Sequence, residues 1–268
     1  MGFFLFTTFA IACINPALDE SAEKKKGGSS AQYLAYFGTS ARGNNNSNCI
    51  FVCRFDTHTG KMTRIGLAAD AINPAFIAIH PNNRYLYAVT RDPDGQGLVK
   101  AFEIDHPTGK LRELNHVSSK GSPCHLNVDA TGRMLAVANY HTGSTLSYPI
   151  HEDGTLGEAA SVMKHQGSSI NDKRQDGPQP HSVNFSPDNR FLISADLGAD
   201  KLYVYLTDPA TARLKPNDPP TASIKPGGGP RHLTFHPSSQ FCYVINELGN
   251  TITVFKWDVE YGTMKEIQ

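Results

Sequence analysis

Residues 227–247 read GGGPRHLTFHPSSQFCYVINE, a glycine run followed by two apolar segments with a short polar segment between them. Its glycines permit left-handed or tightly bent backbone, and Pro230 cannot continue a helix. The residues that follow alternate in polarity, pass through a turn and alternate again, which predicts two strands. Arg231 and His232 lie at the start of the first strand, where a guanidinium could bind an anion and an imidazole could move a proton. A surface loop with two solvated bases is the alternative interpretation.

The same arrangement occurs four times along the chain, in residues 74–89, 123–137, 180–193 and 230–245. The leading prolines stand at positions 74, 123, 180 and 230, so the copies are 49, 57 and 50 residues apart. A third alternating strand and a turn follow each copy, and an incomplete further copy begins at Tyr33. This period fits a β-propeller blade. The sequence therefore predicts an all-β protein, a β-propeller of four-stranded antiparallel blades with about five blades present.

The composition excludes several classes of function. The 268 residues contain 25 Lys and Arg against 25 Asp and Glu, and this balance argues against a nucleic-acid partner. The five cysteines are too few and too scattered for a disulfide framework, and Cys49 and Cys53, which lie four positions apart, have no second ligand pair to form a zinc site. No transmembrane helix is predicted, and the glycine run lacks the lysine of a phosphate-binding loop. We expect neither a metal nor a cofactor.

The N-terminal sequence differs from the rest. Residues 2–12 read GFFLFTTFAIA, an apolar run of the length found in secretory signals, and Cys13 follows small residues as in a bacterial lipoprotein. No Lys or Arg precedes the run, and a strand is the alternative interpretation. We expect residues 1–13 to be a signal peptide or lipoprotein signal with a possible lipid anchor at Cys13, residues 14–32 a flexible tether, and residues 33–268 the propeller domain. This predicts an exported, periplasmic or membrane-anchored protein; a cytoplasmic protein is the alternative.

The repeats bring unusual polar side chains to equivalent positions. Aligning the copies on their turn residues places His125 and His232 four positions before the turn, and His181 and Arg231 five positions before it. The first strand of each propeller blade runs along the central channel, so these four side chains are expected to share one funnel. Hydrogen bonding between blades is the structural alternative for each histidine. His80 and His236, which precede prolines in the turns, are expected to be structural or exposed.

Further candidates lie in the connections. Arg174 belongs to a long connection before the copy that begins at Pro180, and long connections often carry function. Asn139, Asp196 and Glu247 follow the second strands of three copies, where capping of the backbone is the alternative to a role in catalysis.

These motifs resemble those of the seven-bladed propeller lactonases, which include propeller-type 6-phosphogluconolactonase and 3-carboxymuconate lactonising enzyme. The resemblance covers residues 33–268 and is carried by the following segments: Asn139-Tyr140, Arg174-Gln175 with His181, residues 196–200, residues 229–232 with 235–237, and residues 246–248. It implies a metal-independent lactonase site in the central funnel, with His125 as the acid–base residue and Arg174 and Arg231 as anion-binding residues. Gln179 departs from the family pattern, because a second histidine is common there.

The resemblance leads to a functional hypothesis. We expect a lactone hydrolase that acts on a sugar-acid lactone such as 6-phosphogluconolactone. In this scheme His125 or His181 activates water, Arg231 stabilises the developing charge, and Asp196 or Glu247 orients the base or returns the proton. Arg174, His232 and Asn139 are expected to bind substrate. A muconate lactonising enzyme and a non-catalytic exported propeller that binds a protein or glycan are the alternatives. Since seven blades would need about two more than the repeats supply, we expect a fragment, or a chain that a partner completes.

Overall fold

The computed structural model of the chain describes residues 9–14, 32–39 and 48–268, and for residues 9–14 it describes the backbone only. Within these ranges the regular elements are twenty β-strands, which form five four-stranded antiparallel sheets. Strands that follow one another in sequence pair with one another in each sheet. The predictions of an all-β fold and of about five four-stranded blades are confirmed. No helix in the described ranges is long and apolar enough to cross a membrane.

The strands of each blade follow in chain order. Blade 1 contains β1 (Phe9–Ile14), β2 (Gln32–Thr39), β3 (Cys49–Asp56) and β4 (Met62–Asp70). Blade 2 contains β5 (Ile72–Ile79), β6 (Tyr85–Arg91), β7 (Gly97–Ile104) and β8 (Leu111–Ser118). Blade 3 contains β9 (Pro123–Val128), β10 (Met134–Asn139), β11 (Ser144–Pro149) and β12 (Ser161–Lys164). Blade 4 contains β13 (Pro180–Phe185), β14 (Phe191–Asp196), β15 (Lys201–Asp208) and β16 (Arg213–Ser223). Blade 5 contains β17 (Pro230–Phe235), β18 (Phe241–Asn246), β19 (Thr251–Asp258) and β20 (Thr263–Glu266).

The first strands of the blades lie around a common axis. β1 contacts β5, β5 contacts β9, β9 contacts β13, and β13 contacts β17. The hydrophobic core lies between successive blades: Phe102 of blade 2, for example, packs with Ile50 and Val52 of blade 1. Both faces of a central strand are therefore buried, which explains the nearly continuous apolar runs of β6 and β10. This packing brings side chains from different blades to the same channel.

Turn residues also link the blades by hydrogen bonds. His80 accepts from the Asn82 backbone N–H at Nδ1, so Nε2 carries the proton and donates to the Gly132 carbonyl at 2.8 Å. Gly132 has a φ of +71°, and a Cβ there would meet the His80 ring at 2.3 Å. The structural role predicted for His80 is confirmed. His236 is exposed, as predicted, and contacts Ser238.

The N-terminal apolar segment takes part in blade 1. β1 pairs antiparallel with β2 from Phe9 opposite Thr39 to Ile14 opposite Leu34. The sequence allows two interpretations of this segment, an export signal in residues 1–13 or a strand. Residues 9–14 form a strand in the structure, and the export signal stays a prediction. Residues 1–8 and residues 15–31, which make up most of the predicted tether, lie outside the described residues.

One face of blade 5 is uncovered. Ile245 and Ile252 are paired on β18 and β19, and their exposed fractions are 50% and 61%. Ala195 and Leu202 occupy the same positions in blade 4 and are fully buried, because blade 5 packs against them. The apolar surface of blade 5 thus matches a surface that is buried between the other described blades.

Candidate active site

Three histidines from consecutive blades meet at the channel. His125 lies on β9, His181 on β13 and His232 on β17. The ring centroids of His125 and His232 are 5.2 Å apart, and those of His181 and His232 are 5.3 Å apart. Phe76 of β5 packs on His125 with a centroid distance of 3.9 Å. The predicted convergence of these histidines is therefore present in the structure.

A β-bulge precedes this group in blades 3, 4 and 5. The strand pairing skips one residue after the leading proline in each case, and the skipped residues are Cys124, His181 and Arg231. A bulge inserts one extra residue into the strand and turns its side chain away from the regular alternation. Adjacent residues such as Arg231 and His232 can therefore both reach the same site, which a regular strand would not allow.

All three imidazoles are neutral at neutral pH. Burial, the positive charge of Arg231 and the neighbouring His232 together lower the pKa of His181 to about 3. Burial and Arg231 lower the pKa of His232 to about 4. His125 is 3% exposed, and burial, together with the neighbouring His232, His181 and Arg231, holds its pKa well below the usual range. Each ring can therefore act as a hydrogen-bond donor at one nitrogen and an acceptor at the other.

The tautomer of His125 is set by the backbone of blade 4. The Val183 N–H donates to Nδ1 of His125 at 3.3 Å. Since a neutral imidazole carries one proton, Nε2 of His125 is the protonated nitrogen and faces the histidine group as a donor. His181 has no such restraint, and its Nδ1 is buried without a hydrogen-bond partner among the described residues.

Two arginines and a glutamate lie beside the histidines. Glu247 accepts from Nη2 of Arg174 at 2.6 Å and from Nε of Arg231 at 2.8 Å, one at each carboxylate oxygen. Burial would raise the pKa of Glu247, but the hydrogen bond and charge of Arg174 and the charge of Arg231 together lower it. Nε2 of His181 lies 4.0 Å from the same carboxylate. The side chains of Arg174 and Arg231 remain 43% and 38% exposed, so both cations are open to a ligand.

The glycine run positions Arg231. Asp200 of blade 4 is buried and accepts from the backbone N–H groups of Gly227 and Gly229, both at 2.6 Å. Gly227 and Gly229 have φ angles of +83° and +64°, which favour glycine. The run that precedes β17 is thus wrapped around a carboxylate of the neighbouring blade, and this contact fixes the start of the strand that carries Arg231.

The structure separates two predicted site residues from this group. Asn139 is fully buried, and its Nδ2 donates to the Ser119 carbonyl at 2.7 Å. Asp196 is also fully buried; one carboxylate oxygen accepts from His165 and the other from backbone N–H groups. Both side chains bind neighbouring loops, as the alternative role of capping the backbone predicts. Of the two acidic candidates, Asp196 and Glu247, it is Glu247 that contacts the arginines.

Two aromatic residues complete the group. Tyr140 follows Asn139 directly; its ring lies 5.4 Å from that of His181, and its hydroxyl accepts from Nη2 of Arg174 at 3.3 Å. Tyr140 belongs to the motif that carries the family resemblance, whereas the residue expected from the sequence to bind substrate is its neighbour Asn139. Phe76 of blade 2 aligns with His125 of blade 3 and His232 of blade 5. This alignment is the sequence signal that places Phe76 beside the histidines.

Cys124 lies at the bulge of blade 3 but does not have the features of a nucleophile. Its Sγ lies 3.4 Å from the His181 carbonyl and 3.5 Å from the Pro180 carbonyl. Burial raises the pKa of the thiol to about 12, so the group stays protonated. Cys124 links the inner strands of blades 3 and 4. Within the described ranges, His, Cys, Asp and Glu side chains form no group of three or more suited to a metal ion.

A propeller fold with histidines and arginines at one mouth of its channel defines the class to which this protein belongs. The family model described as "Lactonase, 7-bladed beta-propeller" matches residues 34–268. The chain therefore belongs to the family of seven-bladed β-propeller lactonases.

Curated relatives and solved structures agree with this assignment. The chain is 35% identical over 244 residues to the 6-phosphogluconolactonase of Bacillus subtilis, covering 88% of this chain and 66% of that protein. It is 32% identical to the 6-phosphogluconolactonase of Formosa agariphila, covering 77% of this chain and 59% of that protein. The chain thus spans less than two thirds of the length of these relatives.

Two solved structures have the same fold at similar identity. A putative 6-phosphogluconolactonase from Bacteroides fragilis superposes with a TM-score of 0.82 at 31% identity, covering 92% of this chain and 68% of that one. The periplasmic gluconolactonase of Pseudomonas aeruginosa superposes with a TM-score of 0.81 at 32% identity, covering 89% and 68%.

Proposed function

We propose that this chain hydrolyses a sugar-acid lactone that carries an anionic group, with 6-phosphogluconolactone as the first candidate. The observation that carries the proposal is the meeting of three neutral histidines with the Arg174–Glu247–Arg231 group at one mouth of the channel. Two homologous proteins named 6-phosphogluconolactonase support the choice of substrate.

The arginines bind the anionic group of the substrate. Both guanidiniums are more than a third exposed, and each already forms a charge-assisted hydrogen bond to Glu247. Guanidinium groups match phosphate and carboxylate geometry, and each charge-assisted contact contributes about 1.5–3 kcal/mol. Substrate bound in this way presents its lactone carbonyl to the histidines.

His181 serves as the general base in this scheme. Its side chain is 15% exposed, it is neutral, and no backbone group restrains its tautomer as Val183 restrains that of His125. Water attacks the lactone carbonyl and passes its proton to His181, and Glu247, 4.0 Å away, stabilises the imidazolium that forms. His125 donates from Nε2 to the developing oxyanion. When the carbonyl re-forms, the ring C–O bond breaks, and His181 returns the proton to the leaving oxygen. The scheme uses only side chains of the chain.

Hydrolysis of freshly prepared lactones by the 268-residue chain tests the proposal. Acid release is followed at constant pH with 6-phosphogluconolactone, gluconolactone and a neutral lactone. We expect preference for the phosphorylated substrate and loss of hydrolysis in His181→Ala. His58→Ala, which removes an exposed histidine outside the group, is the matched control. An unchanged rate in His181→Ala would overturn the role of the base.

The same panel separates the alternatives. A lactonising enzyme would close a muconate to its lactone, and the pair of arginines would suit its carboxylates as well as a phosphate. A non-catalytic exported propeller would leave every lactone unchanged at a rate above the spontaneous one. Either result would replace the proposed hydrolysis of a sugar-acid lactone.

We propose export as the location of the protein. The apolar residues 2–12 and Cys13 support it, as does the solved relative described as periplasmic. Cleavage before Cys13 would remove residues 9–12 of β1, so export and the pairing of β1 with β2 are competing outcomes for the same segment. The N-terminal sequence of the protein isolated from its source cells decides between them: a mature chain that begins at Cys13 supports export, and an intact Met1 contradicts it.

An export location would also change the substrate that is available. Unphosphorylated gluconolactone would then be the more accessible sugar-acid lactone, and the periplasmic gluconolactonase among the relatives supports this choice. Comparing kcat/KM for the phosphorylated and unphosphorylated lactones measures the contribution of the arginines directly.

A further inference from the structure

His165 is a further buried histidine, and it lies outside the site described above. Nδ1 of His165 lies 2.7 Å from Oδ2 of Asp196, and neither side chain is exposed to solvent. Because a carboxylate accepts, Nδ1 of His165 carries a proton and donates. The ring of His165 also stacks on Tyr203 with a centroid distance of 3.8 Å. Burial of such a pair is costly unless its hydrogen bonds are satisfied, so this contact requires a specific arrangement.

Asp196 holds both ends of one connection. Residues 165–179 link β12 to β13, His165 is the first of them and Gln179 is the last. While Oδ2 of Asp196 accepts from His165, Oδ1 accepts from the Gln179 backbone N–H at 2.7 Å. The N–H groups of Gly198 and Ala199 donate to the same Oδ1 at 3.0 Å. One carboxylate therefore fixes the start and the end of the connection against the turn after β14.

The middle of the connection is held by the same turn. Gln175 is fully buried, and its Nε2 donates to the Leu197 carbonyl at 2.9 Å. The Leu197 N–H donates in turn to the Gln179 carbonyl at 3.0 Å. Arg174 immediately precedes Gln175, and His181 lies two residues after Gln179. Arg174 and His181, which the proposed reaction needs, therefore lie within two residues of anchored positions.

The anchor also joins two blades. His165 follows the last strand of blade 3, and Asp196 ends the second strand of blade 4. Nε2 of His165 lies 3.1 Å from Oγ1 of Thr145 on β11, and Thr145 donates to Ser194 on β14 at 2.8 Å. A displacement of blade 3 or blade 4 would therefore change the positions of Arg174 and His181.

We propose that His165 and Asp196 are positioning residues, which hold Arg174 and His181 in the arrangement that binds and hydrolyses substrate. The inference rests on the proposed lactone hydrolysis for its kinetic part. It assigns Asp196 a role through the connection rather than at the reacting atoms. Misplacement of reacting groups by about 1 Å can lower a rate by about 100-fold, so loosening of this connection should affect activity strongly.

The kinetic test uses graded substitutions of His165. His165→Leu removes the donor to Asp196, whereas the amide of His165→Asn can replace Nδ1–H at nearly the same position. We expect His165→Leu to lower kcat/KM by about 10- to 100-fold and His165→Asn to recover most of the loss. KM should rise and kcat should fall, because Arg174 and His181 are both displaced.

Ser147→Ala is the matched control. Ser147 lies on β11, is fully buried and donates across the interface between blades 3 and 4 to the Ala212 carbonyl at 2.7 Å. The Ser147→Ala substitution removes a comparable hydrogen bond between blades 3 and 4 and leaves the contacts of residues 165–179 unchanged. We expect kcat/KM within about twofold of wild type. Equal losses in Ser147→Ala and His165→Leu would assign His165 to general stability, and a folded His165→Leu chain with wild-type kinetics would overturn the proposal.

Amide hydrogen exchange provides a readout that needs no substrate. In His165→Leu the amides of Gln175, Gln179 and Leu197 should exchange at least about 10-fold faster, while those in the centre of β14 keep wild-type protection. If wild type hydrolyses no lactone, the proposed function fails, and this exchange pattern still decides whether the connection is anchored as inferred. If His165→Leu does not fold, Thr145→Val compared with Ser147→Ala serves instead. Unchanged exchange at the three amides would overturn the anchor.

Discussion

Nε of Arg231 donates a hydrogen bond of 2.8 Å to Oε2 of Glu247 in blade 5. Arg231 lies at the start of β17 and Glu247 directly follows the end of β18, so this bond joins two neighbouring strands. The other oxygen of Glu247 accepts from Arg174, which belongs to the connection before blade 4. One carboxylate therefore keeps two cations close together without neutralising both. An incoming anion meets two guanidiniums already held in place, and much of the entropic cost of arranging them is avoided.

Arg231→Ala should weaken binding of a phosphorylated lactone. Loss of one charge-assisted contact corresponds to about a 10- to 100-fold increase in KM, with a smaller effect for a neutral lactone. Steady-state kinetics with both substrates measure the difference. Arg112→Ala is the control, since Arg112 pairs with Glu103 on the outer strands of blade 2. Equal effects on the charged and the neutral lactone would contradict the anion-binding role.

Glu247→Gln should change binding and turnover in opposite directions. The substitution removes the negative charge between the arginines, so inorganic phosphate should bind more tightly and raise the melting temperature more than it does in wild type. At the same time kcat should fall, because the imidazolium formed at His181 loses its nearest carboxylate, 4.0 Å away. Thermal shift with phosphate and steady-state kinetics measure the two effects. Weaker phosphate binding in Glu247→Gln would refute the competition between carboxylate and ligand.

Stability should fall in weakly acidic solution. The pKa of His181 is lowered to about 3 and that of His232 to about 4, against about 6.5 in the unfolded chain. Between these values the unfolded chain binds protons that the folded chain does not, so the free energy of unfolding decreases as the pH falls below about 6.5. Each histidine can lower the free energy of unfolding by at most about 1.4 kcal/mol for each unit by which the pH falls.

Urea unfolding of wild type and His232→Asn between pH 7.5 and pH 4.5 isolates this contribution. Carboxylates titrate in both proteins, so the difference between their slopes reports His232. We expect a shallower dependence on pH in the variant. Identical slopes would mean that His232 titrates normally in the folded chain.

Self-association should depend on the uncovered face of blade 5. Ile245 and Ile252 are at least half exposed, and burying such side chains in an interface contributes about 1.5–3 kcal/mol each. We expect the 268-residue chain to associate at micromolar concentration and Ile252→Lys to reduce this in sedimentation velocity experiments. Val162→Lys, which changes an exposed apolar residue on the outer strand β12, should leave the association unchanged. A monomeric wild-type chain would contradict the expectation.

The fold could be predicted because its signals are local and repeated. The prolines at 74, 123, 180 and 230 all lie within inner strands, where they cost little because the strand edge needs no donor there. The alignment of repeats also gave His125, His181 and His232 a common location, which the ring distances support. Period and spacing determine which strands are equivalent, and equivalence places their side chains in the same channel.

The details of the site could not be predicted because they depend on departures from the repeat. A bulge reverses the direction of a side chain, so sequence alternation alone could not assign the orientation of His181 or Arg231. His165 lies outside the four aligned segments, and its partner Asp196 is 31 positions away. Asn139 resembled a site residue, but its neighbour Tyr140 contacts Arg174 instead.

The double attachment of residues 165–179 to Asp196 has a consequence for how such a chain can diversify. Because the connection is attached at His165 and Gln179 and again at Gln175, the exposed residues between His165 and Arg174, which include Ile170 and Lys173, can change in length or composition without moving the blades. A new stretch grafted between the same ends would start and finish where the present one does. The scaffold would thus accept new specificity at this mouth of the channel while its framework is inherited intact.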